Sequence, residues 1–176
     1  ADALRQFARQ IAAYPVACAF VVNTGDLVRD ADSVFPDRAQ AQYDSYLGAA
    51  AAFSVPLFTV PGNHEHVSVN AAGADQKHPL YGKGLYRRVF GPTYYSWDWA
   101  GFHCVALDGT RVPYQVALGA EQLAWLAADL QTQPREKPLL LFCHQALFSL
   151  ADSRELEALL RERKVLGAFC GHMHRT

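Results

Sequence analysis

Four short apolar runs constrain the fold of this chain more than any other feature: ACAFVVN (17–23), VPLFTV (55–60), KPLLLFC (137–143) and VLGAFC (165–170). Continuous apolar runs of this length suit strands covered on both faces. The segments between them have a helical period instead. ADALRQFARQIAAY (1–14) puts Leu4, Phe7, Ile11 and Tyr14 on one face and ends at Pro15. DRAQAQYDSYLGAAAAF (37–53) has a core stripe of Tyr43, Tyr46, Leu47 and Ala50, and GAEQLAWLAADLQ (119–131) one of Leu123, Leu126 and Leu130. DSRELEALLRERK (152–164) opens on Asp152 or Ser153 as a cap, with Glu155 and Glu157 in its first turn. TYYSWDW (93–99) and FHCVALD (102–108) flank Ala100-Gly101 as an antiparallel hairpin. Residues 67–92 carry glycine and proline without a clear period and read as a long, partly ordered excursion. Buried strands alternating with helices predict an α/β protein on a largely parallel sheet, with helices on both faces.

At 176 residues the chain has a one-domain length, enough to bury roughly 70% of its unfolded surface. Half of it is hydrophobic (51%) and its formal net charge is −1, which excludes the basic excess that nucleic-acid duplex binding needs. No apolar stretch approaches a membrane span, and nothing at Ala1 resembles a signal peptide. Cys18, Cys104, Cys143 and Cys170 lie in or at the ends of strand-like runs, with no C-x-x-C pair. They read as small buried hydrophobes, which favours a reducing, cytoplasmic compartment.

The polar residues fall in a pattern. Each apolar run leads to residues able to bind a metal: Asp26, then Asn63 and His64, then His144, then His172 and His174. In open α/β sheets the site lies beyond the carboxyl ends of the strands, so these distant residues can converge on one edge. A carboxylate, an amide carbonyl and several imidazoles suit Mn, Fe or Zn better than calcium. His172 and His174 are two apart, so on an extended segment both rings face one side, for one ion or two adjacent ones. A metal pair about 3.5–4 Å apart can hold a bridging hydroxide and bind a phosphate's oxygens. His64 can meet the opposite face of that phosphate as a proton donor or cationic stabiliser, with Glu65 orienting it or raising its pKa. Each residue also has a plainer reading: Asp26 and Asn63 as turn residues, His144 as a core histidine. For His66, His78 and His103, ordinary loop histidines are the favoured reading.

Gly25-Asp26, Gly62-Asn63-His64-Glu65, His144 and Gly171-His172-Met173-His174, in that order, resemble the calcineurin-like metallophosphoesterase superfamily. YYSWDWAGFHCVALD and LGAEQLAWLAADL resemble the middle of its bacterial members, so the likeness covers essentially the whole chain. It implies a four-layer α/β/β/α sandwich around two divalent or trivalent metal ions (Mn, Fe or Zn). Asp26 would bridge both ions, Asn63, His144 and His172 would complete one site, His174 would serve the other, and His64 would be the catalytic histidine near the leaving group. The implied reaction is hydrolysis of a phosphomonoester or phosphodiester by metal-bound hydroxide, on a small phosphate-ester substrate such as a nucleotide.

Three departures qualify that picture. No D-x-H motif occurs in the chain, so the His174 site has only Asp26 and His174. GDLVRD has Arg29 at the expected polar position and Asp30 one place late, which leaves Asp30 without a role. FCHQALF lacks the proline or second histidine that commonly follows the third motif. A sheet without its central opening strand would expose unpaired backbone on two sides. The expectation is therefore a slice of one catalytic domain spanning 1–176, with the opening and closing strands outside it. Two other readings stand beside the binuclear enzyme: a non-catalytic scaffold with an incomplete metal site, and a mononuclear hydrolase using only the Asn63 site. Tyr81, Tyr86, Arg87, Arg88, Tyr94 and Tyr95 either line a substrate pocket or form a satellite core.

Overall fold

The computed structural model describes residues 2–112 and 114–174. Its helices are α1 (Asp2–Ala12), α2 (Pro36–Ala50), α3 (Gly84–Phe90), α4 (Ala120–Gln131) and α5 (Ser153–Leu160). The strands are β1 (Val21–Asn23), β2 (Leu57–Thr59), β3 (Tyr95–Trp99), β4 (Phe102–Leu107), β5 (Thr110–Arg111), β6 (Gln115–Val116), β7 (Leu139–Cys143) and β8 (Val165–Cys170).

The four apolar runs divide between two sheets, as the α/β/β/α sandwich implies, rather than sharing the one sheet that periodicity alone suggests. β1 and β2 pair in parallel, with Val22 opposite Phe58. The larger sheet has the order β3-β4-β7-β8, antiparallel at β3 and parallel from β4 onward. β3 and β4 form the hairpin expected around Ala100-Gly101. β5 and β6 make a small separate ribbon.

Strand alternation builds the layers. Cys104, Ala106 and Phe142 point from the larger sheet toward Val60, Phe20 and Val22, and this cluster fills the space between the sheets. Phe58 stacks on Trp97 there with ring centroids 4.1 Å apart. The alternate residues Val105, Leu107, Leu139, Leu141 and Cys143 face outward onto Leu126 and Leu130 of α4 and Leu156 of α5. Each such apolar side chain contributes about 1.5–3 kcal/mol on burial. On the far side, α2 approaches β1, where Asn23 donates to the Tyr46 hydroxyl at 3.4 Å. The order is helix, sheet, sheet, helix.

Several local expectations shift. In α2 the buried residues are Ala39, Tyr43, Tyr46 and Ala49, while Leu47 is exposed; a small residue, not the leucine, faces inward. In α1 the buried residue is Ala8 and Phe7 is exposed, as is Tyr14 beyond the helix end. The excursion contains α3, only seven residues long and too short to establish a period, yet Leu85 and Tyr86 on it are fully buried. Gly84 opens it because a Cβ there would lie 2.0 Å from the Pro79 carbonyl oxygen. Cys104 and Cys143 are buried as expected; Cys18, before β1, is half-buried, and Cys170 is exposed because β8 is exposed along most of its length. Among the described residues, no helix is long and apolar enough to cross a membrane.

Candidate metal centre

Gly25 and Asp26 follow β1 with φ of 103° and 54°, so the chain turns sharply at the strand's carboxyl end. A Cβ at Gly25 would lie 2.5 Å from His144 Nδ1, and one at Gly62 would lie 2.4 Å from Asp26 Oδ1. The glycines of the G-D and G-N motifs are therefore packing requirements: they let three loops touch. His172 and His174 also have positive φ, at 64° and 46°. Non-glycine residues in this region concentrate where a site over-determines the backbone.

These loops bring four of the expected residues together. His144 Nε2 lies 3.1 Å from Asn63 Oδ1, 3.1 Å from His172 Nδ1 and 3.3 Å from Asp26 Oδ1. Asp26, His144 and His172 offer ligand atoms all within 4.8 Å of one another. The donor chemistry fits a cation. His144 Nδ1 is 2.9 Å from the Thr24 carbonyl oxygen, which can only accept, so this nitrogen carries the proton. Burial holds the His144 pKa below its ordinary value, against the pull of Asp26, which favours the neutral ring. Its Nε2 lone pair then faces the oxygens of Asn63 and Asp26, and acceptors facing acceptors are reconciled by a positive ion. His174 does not join this cluster and is exposed.

Glu65 does not orient His64. It is fully buried and accepts backbone N–H groups from Asp26 (3.0 Å), Val28 (3.0 Å) and Gly62 (2.6 Å). It thus ties the G-D loop to the G-N-H-E loop. Burial pushes its pKa up to about 7, although the three N–H groups favour the carboxylate.

The carboxylate beside His64 is Asp32, which the sequence reading missed. His64 Nδ1 lies 3.2 Å from Asp32 Oδ1. Asp32 is buried and also accepts from Asn70 Nδ2 at 2.9 Å and the Tyr114 hydroxyl at 3.1 Å. Its only sequence signal is a further aspartate in the loop after G-D, six residues beyond Asp26. Asp30 instead accepts from Gln42 Nε2 at 2.6 Å, away from the histidines.

Of the other histidines, His103 departs from the loop reading, and His66 lies in a loop but is buried. His103 lies on β4, buried between Asp98 (2.7 Å) and Asp129 (2.8 Å). His66 is fully buried, stacks near Tyr114 with ring centroids 6.1 Å apart, and has no hydrogen-bond partner on either nitrogen among the described residues. Burial keeps it neutral, lowering its pKa to about 3. His78 does sit in a turn, where its Nδ1 accepts from the Leu80 N–H at 3.2 Å. The aromatic excursion divides between its two readings. Tyr86 and Tyr95 are bonded to Thr59 in the interior, while Tyr81, Arg87 and Tyr94 line a cavity.

No curated protein matches the chain. Among solved structures, a dimetal phosphatase from Danio rerio is similar, with 20% identity and a TM-score of 0.63, over 98% of this chain and 70% of that one. At that identity the likeness establishes the fold: mixed α/β, with the layers described above. The family model for calcineurin-like phosphoesterase matches residues 1–176, the full length. With the match running across every element that carries the converging motifs, the chain belongs to the calcineurin-like phosphoesterase family.

Proposed function

We propose that this chain carries the catalytic machinery of a metal-dependent phosphoester hydrolase, with Asp26, Asn63, His144 and His172 as ligands of one ion. The observation that supports this best is the convergence of lone pairs around His144 Nε2, at 3.1–3.3 Å from its neighbours. Bound Mn, Fe or Zn supplies Lewis acidity and an activated water.

The chain's own residues do the rest. Thr24 fixes the His144 tautomer through Nδ1, keeping Nε2 available as a ligand. Glu65 locks the loops that carry Asp26 and Asn63. His64 stands beside them with its Nδ1 at Asp32, so the protonated ring presents Nε2–H to a leaving-group oxygen. Asp32 is a positioning residue: it sets the ring's orientation through Nδ1.

In the binuclear form, Asp26 and His174 contribute to a second ion. The mononuclear form is favoured by one observation, that His174 stands outside the cluster. Metal analysis after loading with Mn²⁺, combined with turnover of nitrophenyl phosphate mono- and diesters, separates these readings. Two ions per chain and loss of activity in His174→Ala are expected for the binuclear enzyme. One ion and unchanged activity in that variant identify the mononuclear one. Fewer than one ion with no turnover of either ester leaves a binding module.

A further inference from the structure

A cavity of about 350 Å³ has a net positive lining, three cations against the carboxylates of Asp108 and Glu121, the latter accepting from the Tyr94 hydroxyl at 3.4 Å. Lys83, Arg87 and Arg111 line it. Lys83 is committed to the buried Asp108, 2.5 Å away. Arg87 and Arg111 have no carboxylate partner among the described residues. The guanidinium of Arg111 lies over Gly119, where an added Cβ would be 3.1 Å from it. Gly119 precedes α4, whose first turn has no side-chain cap and also borders the cavity. Two unpaired guanidinium groups in a cleft form a site for a planar or tetrahedral oxyanion. Tyr81 and Tyr94 complete the wall with aromatic surface.

The cavity's walls continue the loops of the metal centre. Gly82 pairs with Val67, through N–H to carbonyl bonds of 2.8 and 2.9 Å, just beyond the segment carrying His64. Asp108 follows β4, whose Leu107 is the register partner of Cys143, the residue before His144. A Cβ at Gly109 would meet Cys143 Sγ at 2.7 Å, so these two loops are in direct contact. The cavity therefore lies at the same sheet edge as the metal centre, beside the segment carrying His64.

We propose that this cavity is a specificity subsite, in which Arg87 and Arg111 bind a second anionic group carried by the leaving group of the substrate. The assignment rests on the phosphoesterase reading for its catalytic consequence, but not for the binding itself. The preferred substrate class is then a phosphoester with a second phosphate or carboxylate on its leaving alcohol. Neutral leaving groups are turned over without help from the two arginines.

Two measurements test it. The first needs no catalysis: titration calorimetry of inorganic pyrophosphate into the metal-depleted full chain, for wild type, Arg87→Gln and Arg111→Gln. One site, weakened about tenfold in each variant and retained in His172→Ala, is expected; equal affinity in wild type and both arginine variants overturns the assignment. The second compares a nucleoside 5′-monophosphate with the matching 3′,5′-bisphosphate in the Mn²⁺-loaded protein. Each variant should raise KM about tenfold for the bisphosphate only; an equal rise for both substrates, or none for either, overturns the specificity role. Absence of turnover in wild type with pyrophosphate binding intact overturns the phosphoesterase reading and the specificity role, leaving an anion site.

Discussion

His64 has Asp32 as its carboxylate neighbour, and Asp32 also accepts from Asn70 and Tyr114, so three side chains from separate segments fix one imidazole. The oxygens of Asp32 are nearly saturated with donors and shielded from water, which fixes their direction. Asp32→Asn preserves the shape while removing the charge and one acceptor. The expected outcome is a fall in kcat of roughly 10²-fold on nitrophenyl phosphate, with KM and far-UV circular dichroism little changed. Unchanged kcat would show that His64 does not depend on this carboxylate. The glycines act at the same scale. Gly25 and Gly62 stand where any Cβ would collide with His144 or Asp26, so the motif glycines serve contact between loops.

The loops after β1, β2, β7 and β8 carry the candidate site, and the strands supply little more than aim. β1 and β2 have three residues each, far shorter than the apolar runs that contain them. At their ends the runs leave the ladder after single bonds, Val21 N–H to the Pro56 carbonyl and Val60 N–H to the Asn23 carbonyl, both at 2.9 Å, and periodicity cannot show where that happens. Asp152 shows a related limit. It stands before α5 as a cap would, yet its carboxylate accepts from Leu118 N–H at 3.1 Å and Gly119 N–H at 2.7 Å. It thus secures the entry to α4 rather than its own helix. Asp152→Ala should cost about 1–2 kcal/mol, measured as a lower urea midpoint with an unchanged m-value. No loss of stability would mean that water replaces the carboxylate at those two N–H groups.

Among the described residues, His66 is a buried imidazole with no hydrogen-bond partner on either nitrogen. His66 is fully buried, and its pKa falls from 6.5 to about 3 in the folded chain. Below pH 6.5 the unfolded chain takes up a proton that the folded chain refuses until about pH 3. The unfolded state therefore binds more protons in this window, and stability is lost as pH falls through it. The expected slope from this residue is up to about 1.4 kcal/mol per pH unit. His66→Phe fills the same space without titrating and should flatten the acid limb of urea stability by up to one proton. An unaltered slope would assign the acid sensitivity to other groups.

The pattern of apolar runs, helical stripes and polar run-ends was sufficient, by itself, for the α/β class, the β3–β4 hairpin and a shared edge for Asp26, Asn63, His144 and His172, but it also gathered His174, which stands outside the cluster. Those features depend on local periodicity and on the rule that parallel strands gather their carboxyl ends. Tertiary structure decided the division into two sheets, the inward face of α2, the partnership of Asp32 with His64 and the lacing role of Glu65. It also separated Tyr86 and Tyr95, which entered the core, from Tyr81, Arg87 and Tyr94, which face the cavity. The physical reason is the same in each case. A side chain's partner is set by which loop lies across from it, and that distance is invisible to the spacing of residues along one chain.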